Sequence, residues 1–127
     1  MKLTDTEWQL MNALWKKYPS TARELTELLP QDVSWAYTTI KTMLTRLVAK
    51  GAVSERKRAN TSVYTPLISQ KKARRSAIGS LLNQAFDGAL EPMLHFLVRD
   101  RKLSDKEKKA LIDILQREDK NEEETND

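Results

Sequence analysis

The chain contains no cysteine and a single histidine, His95. Without cysteine there can be no disulfide and no thiolate metal site. One histidine argues against a histidine-built zinc site and against a Ser-His-Asp triad. Glycine is scarce, with three residues, and none sits in a phosphate-cradling loop. No apolar run approaches the roughly 20 residues that a membrane-spanning helix needs. Met1 to Asp5 reads straight into an amphipathic segment with no signal-peptide core, so a cytoplasmic protein without membrane insertion is expected. Paired acids exist, such as Asp100 and Asp105, but no nucleophile and base accompany them. The expectation is a protein with no catalytic residues, no cofactor and no metal.

What is present is charge, and it is unevenly placed. The chain has 127 residues, 39% hydrophobic and 31% charged, with a net charge of +4. That composition supports a modest core, and a charge-rich chain this short often completes its core with a second subunit. Residues 1–66 carry 10 Lys and Arg against 6 Asp and Glu, whereas residues 67–127 carry 12 of each. Within residues 41–75, 10 basic residues face one acid, Glu55. Such an excess is the footprint of a polyanion-binding surface, although a solvated basic face would read the same way.

Local signals divide the chain into elements. Thr4 and Glu7 have capping-box spacing, and Trp8, Met11, Leu14 and Trp15 follow at helical spacing until Pro19. Thr21 and Glu24 repeat the box ahead of Ala22, Leu25, Leu28 and Leu29, and Pro30 ends that segment. A third helix is expected to start at Ser34 and run from Trp35 to Lys50, with Ile40, Met43, Leu44 and Leu47 inward and Gly51 as its stop. Two short runs, Ala52 to Lys57 and Ser62 to Leu67, flank the polar turn Arg58-Ala59-Asn60-Thr61 and predict a β-hairpin. Beyond Ser69 the pattern is helical again. A basic helix covers residues 70–86, a short apolar helix runs from Ala89 to Arg99, and a last helix opens at a Ser104–Glu107 box. Residues 119–127 have no apolar side chain and are expected to be disordered.

Three helices followed by a two-stranded hairpin is the winged form of helix-turn-helix. The expected fold is therefore mainly α with a small β-hairpin wing. A winged-helix DNA-binding domain would cover residues 1–68, and a helical dimerisation region residues 69–118. At about 100° per residue, Thr38, Thr42 and Thr45 fall within roughly 60° of one another, with Lys41 beside them and the apolar face opposite. Threonine is a poor helix former, but its hydroxyl can meet phosphates and base edges and its methyl can meet a thymine methyl. The alternative is that these hydroxyls bond only their own helix carbonyls. Tyr37 and Thr38 occupy the first turn, where helix-turn-helix proteins touch bases. The wing adds Arg56, Lys57, Arg58 and Asn60, suited to backbone or minor-groove contact, or to protection of an edge strand. Ile78, Leu81, Leu82, Phe86, Leu90, Leu94, Leu97, Leu111, Ile114 and Leu115 make separate apolar stripes. A small domain has little room to bury them, so a homodimer is expected.

The strings Glu7-Trp8-Gln9-Leu10-Met11-Asn12-Ala13-Leu14-Trp15, Thr38-Thr39-Ile40-Lys41-Thr42-Met43-Leu44-Thr45-Arg46-Leu47 with Lys50-Gly51, and Leu94-His95-Phe96-Leu97 with Leu103-Ser104 resemble the penicillinase-repressor family of bacterial winged-helix repressors. The resemblance spans roughly residues 4 to 118. It implies a homodimer bound to double-stranded operator DNA with inverted TACA/TGTA-type elements. Thr38, Lys41, Thr42, Thr45 and Arg46 would be the recognition positions, and the targets would be β-lactamase, penicillin-binding-protein or related genes of antibiotic resistance. It also implies release by cleavage at an Asn-Phe bond after a membrane metalloprotease sensor is activated; the matching pair here is His95-Phe96. A copper-sensing branch of the family uses a cysteine-rich tail, which this chain lacks. A different reading of the same residues is a dimeric winged-helix adaptor that has no role on DNA.

Overall fold

The computed structural model describes the backbone of residues 1–125 and the side chains of residues 1–117. The elements are α1 (Asp5–Lys16), β1 (Ser20–Thr21), α2 (Ala22–Leu28), α3 (Tyr37–Lys50), β2 (Val53–Arg58), β3 (Thr61–Pro66), α4 (Gln70–Phe86), α5 (Leu90–Asp100) and α6 (Asp105–Thr125). Two compact units divide the chain, Met1–Gly79 and the residues from Ser80 onward. The division falls inside α4, not at the expected boundary after residue 68. The reason is packing: Ile68 lies against the core of the first unit, and Ala73 on α4 is buried.

Helix starts follow from side chains that satisfy the free N–H groups of a first turn. Thr4 caps α1 and Thr21 caps α2, each in a reciprocal box with Glu7 or Glu24. Ser104 and Glu107 make the same two bonds at the start of α6, at 3.0 and 3.1 Å. The start of α3 differs from expectation. Its cap is Ala36, with no side-chain bond, and Ser34 and Trp35 lie outside the helix. Val33 and Trp35 pack against the core from the connecting segment, so burial of two large side chains holds the backbone there out of the helix. The end of α3 is as expected. Gly51 takes a φ of 82°, and Ala52 N–H bonds back to the Leu47 carbonyl at 3.0 Å. A β-carbon would resist that left-handed turn.

The core of the first unit is made by Leu10, Met11 and Leu14 of α1, Leu25 of α2, Ile40, Leu44 and Leu47 of α3, Val53 of β2 and Tyr64 of β3. Burying a side chain of this size stabilises the fold by about 1.5–3 kcal/mol, and truncating one, as in Leu44→Ala, costs about 2–5 kcal/mol. The sheet has three strands in the order β1-β3-β2. The hairpin pairs Val53 with Pro66 through to Arg58 with Thr61. β1 is an addition to the expected wing: Ser20 and Thr21 pair with Tyr64 and Val63. It ties the wing's inner strand to the start of α2. Trp15 Nε1 donates to the Ile68 carbonyl at 3.0 Å, closing the unit behind β3.

The second unit is built differently. α5 contains no buried residue. Leu81, Leu90, Leu94, Phe96, Leu97, Val98, Leu111, Ile112, Ile114 and Leu115 are all exposed, while Leu82 and Phe86 are half-buried. The Phe86 and Phe96 rings pack at 5.9 Å with a tilt of 59°. α6 continues to Thr125, so the stretch expected to be disordered from residue 119 is helical that far. Its Glu and Lys residues are good helix formers, and extending an existing helix needs one bond per residue fixed. Asn126 and Asp127, the remainder of that stretch, lie outside the described residues. Among the described residues no helix is long and apolar enough to cross a membrane.

Candidate nucleic-acid interface

α3 buries Ile40, Met43, Leu44 and Leu47 and turns its opposite side outward. Thr38, Thr42 and Thr45 are exposed there, and Lys41 is half-buried at the edge of the stripe. The hydroxyl protons are engaged locally: Thr42 Oγ1 donates to the Thr38 carbonyl and Thr45 Oγ1 to the Lys41 carbonyl, each at 3.0 Å. Two of the three hydroxyls thus bond their own helix carbonyls, as the alternative reading expects. Each of the two spends its donor on the helix, which turns the methyl and the oxygen lone pairs toward the outside. The outward face can therefore accept hydrogen bonds and make apolar contact. Ala49 lies on it too and is exposed, and its small side chain adds no obstacle.

Cations border the stripe. Arg46, exposed, lies about 80° from Thr38 around the helix and lines a surface recess with Thr4, Thr6 and Met43 on the α1 side. Lys41 lies about 60° the other way, toward the side of Tyr37. Tyr37 opens α3 and is 46% exposed. The Arg23 guanidinium, from α2, stands over its ring at 5.5 Å. Sequence pattern marks Tyr37 but not Arg23, because the pairing exists only once α2 and α3 are packed.

The wing presents Arg56, Lys57 and Arg58, all exposed, next to the tip residues Ala59 and Asn60. Ala59 has a φ of 59°, which lets a two-residue loop reverse the chain. Side chains alternate along a strand, so the three cations serve both faces of the hairpin. Glu55 is the nearest acid in β2, and Ser62 Oγ donates to it at 2.9 Å. Farther on, Lys71, Lys72, Arg74 and Arg75 of α4 are also exposed, and of the basic residues in 41–75 only Lys50 is spent on an ion pair, with Glu7, among the described residues.

The remaining expected sites lie in the helical region after the wing. Ile78, exposed, falls in the first compact unit; Leu81, Leu82, Phe86, Leu90, Leu94, Leu97, Leu111, Ile114 and Leu115 fall in the second. His95 and Phe96 are exposed in the middle of α5, with His95 Nε2 3.7 Å from Glu91 Oε1.

An exposed hydroxyl-bearing helix, a cationic hairpin beside it in sequence and a three-helix core closed by a small antiparallel sheet define a winged-helix protein of the DNA-binding kind. Residues 3–117 match the penicillinase repressor family, and the chain belongs to that family. The family is one of transcriptional repressors, which are not enzymes. The chain is 34% identical over 116 residues to the penicillinase repressor of Bacillus licheniformis, covering 91% of this chain and 90% of that one. It is 25% identical over 114 residues to the methicillin resistance regulatory protein MecI of Staphylococcus aureus (strain N315), covering 90% and 93%. Among solved structures, the DNA binding domain of the repressor BlaI in solution is similar at a TM-score of 0.50 and 34% identity, over 56% of this chain and 87% of that chain.

Proposed function

We propose that the chain is a sequence-specific repressor that works in the cytoplasm and binds a palindromic DNA operator as a homodimer. The observation that carries this reading is the pairing, within one compact unit, of the outward Thr38-Thr42-Thr45 stripe with the cationic wing Arg56-Lys57-Arg58. The stripe offers acceptors and methyls for base edges in the major groove. The cations supply salt-dependent attraction to the backbone. The likeness of this unit to the DNA binding domain of BlaI supports the same assignment.

Dimerisation is supported by the helical region. Most large apolar side chains from Ile78 to Leu115 stay exposed in the single chain, more than an isolated subunit usually leaves in water. A second copy offers the same surface and covers both by two-fold symmetry. The regulated genes would be of the β-lactamase or penicillin-binding type, or a related stress-response operon; relatives named as a penicillinase repressor and a methicillin resistance regulatory protein support the first of these. Release would follow cleavage at His95-Phe96 by a membrane metalloprotease sensor. That bond is exposed but sits within α5, so cutting it requires local unwinding of the helix first.

The test is an electrophoretic shift with the DNA upstream of the protein's own gene. A discrete shifted band that competing unlabelled operator removes supports the repressor. Absence of any shift at low salt contradicts it and favours the adaptor.

A further inference from the structure

Arg23 is a cation whose position is fixed without an acidic partner. Its guanidinium carbon stands over the Tyr37 ring, 5.5 Å from the centroid, and among the described residues it forms no ion pair. Its sequence neighbour Glu24 is already engaged, accepting from Lys17 Nζ at 2.9 Å and from Thr21 N–H at 3.1 Å. A cation over a ring face is held by the ring's quadrupole and not by a hydrogen bond, so the contact does not consume the guanidinium's N–H donors. Both Arg23 and Tyr37 are exposed, so those donors open to the outside.

The placement matters more than the charge. A helix lying in a groove has one phosphate strand on each side. On α3 the side toward α1 carries Arg46, while the opposite side carries Lys41 and Tyr37. α2 brings Arg23 to that second side, against the first residue of α3. A guanidinium held on an aromatic ring loses less freedom on binding than a free lysine or a wing-tip arginine.

We infer that Arg23, held by Tyr37, is a further DNA-binding residue: it donates to a backbone phosphate on the α2 side of the recognition helix and fixes the helix's angle in the groove. This rests on the DNA-binding reading above. Tyr37 is then a positioning residue as well as a first-turn contact. The pair is specific to phosphate and not to a base, because the stacked guanidinium lies to the flank of the threonine stripe.

The experiment is a fluorescence-anisotropy titration of the full chain against a labelled duplex from its own upstream region, across a series of salt concentrations, with a scrambled duplex as control. Arg23→Ala is expected to bind about tenfold more weakly at physiological salt. The slope of log K against log salt should fall by about 0.9, and the preference for operator over scrambled DNA should stay unchanged. Arg23→Lys should keep the parent's slope yet bind more weakly than the parent, since an ammonium stacks less well. Tyr37→Leu should weaken binding, and adding Arg23→Ala to it should cost less than the two single losses combined. If Arg23→Ala keeps the parent's affinity and slope, the inference is overturned while the DNA-binding reading stands. A lower melting temperature with weaker binding at the parent's slope also overturns it, because Arg23 then serves packing only. If the parent binds no duplex at low salt, the DNA-binding reading and this inference fall together.

Discussion

One oxygen of Glu7 accepts hydrogen bonds from Lys50 Nζ at 2.6 Å and from Thr4 N–H at 2.9 Å. The first turn of α1 is thereby fastened to the last residue of α3. Lys50 also donates to the Lys2 carbonyl at 2.8 Å. Residues distant in sequence thus set the seating of the helix that carries the threonine stripe. Glu7 is 5% exposed. Burial pushes its carboxyl up, but the bonds from Lys50 and Thr4 and the Lys50 charge outweigh burial and hold it below the usual carboxylate range.

A carboxyl with a depressed folded-state pKa adds stability above its unfolded value and loses it as pH falls through the folded one. Glu7→Gln is therefore expected to destabilise the protein by about 1–3 kcal/mol at neutral pH, toward the lower end because Lys50 is partly open to water. The gap to the parent should narrow below the ordinary carboxylate pKa and close under strong acid. Urea denaturation at neutral and acid pH measures it. Equal midpoints for the two proteins at neutral pH would contradict this role for Glu7.

Lys41 and Thr42 share the outward side of α3 but differ in chemistry. Lys41→Ala is expected to weaken binding to operator and scrambled DNA alike and to reduce the salt slope by about 0.9. Thr42→Ala should leave the slope alone and lower the preference for operator. Because the Thr42 hydroxyl already donates to the Thr38 carbonyl, Thr42→Val, which keeps a methyl, should retain more of that preference than alanine if methyl contact dominates. Competition titrations with both duplexes separate these effects. Parent-like binding by both alanine variants would place the recognition face elsewhere.

Features of the fold that depend on neighbouring residues were legible in the sequence. The boxes Thr4–Glu7, Thr21–Glu24 and Ser104–Glu107 close within three residues, so spacing alone reveals them. Gly51 and the outward threonines follow from backbone chirality and helical period in the same way. The features that escaped depend on distant partners. β1 is two residues long, too short for a period, and exists only through Val63 and Tyr64 of β3. The start of α3 is set by burial of Val33 and Trp35, which overrides the capping tendency of Ser34. The Glu7–Lys50 and Arg23–Tyr37 pairs each join residues of different helices. The division of the chain inside α4 goes with the burial of Ala73 near the start of that helix, which no composition change marks.

Leu81 and Leu111 are 50% and 40% exposed in the single chain, so neither supports a core within it. Leu81→Asp or Leu111→Asp is expected to leave the circular-dichroism spectrum and the folding of the first unit intact while shifting the protein from dimer to monomer. The monomers should bind an operator more weakly, since one half-site is then engaged at a time. Sedimentation velocity gives the answer. A variant that still sediments as a dimer would move the interface off these residues.

The most direct test of the central claim is an anisotropy titration of the parent chain against two duplexes of equal length and composition. One is drawn from its own upstream region with an inverted TACA/TGTA-type repeat, and the other has that repeat scrambled. The predicted result is binding to the first duplex at least a thousandfold tighter, within the usual margin of specific over non-specific binding. Both affinities should fall steeply with added salt. Equal affinity for both duplexes, or binding to neither at low salt, would contradict the account.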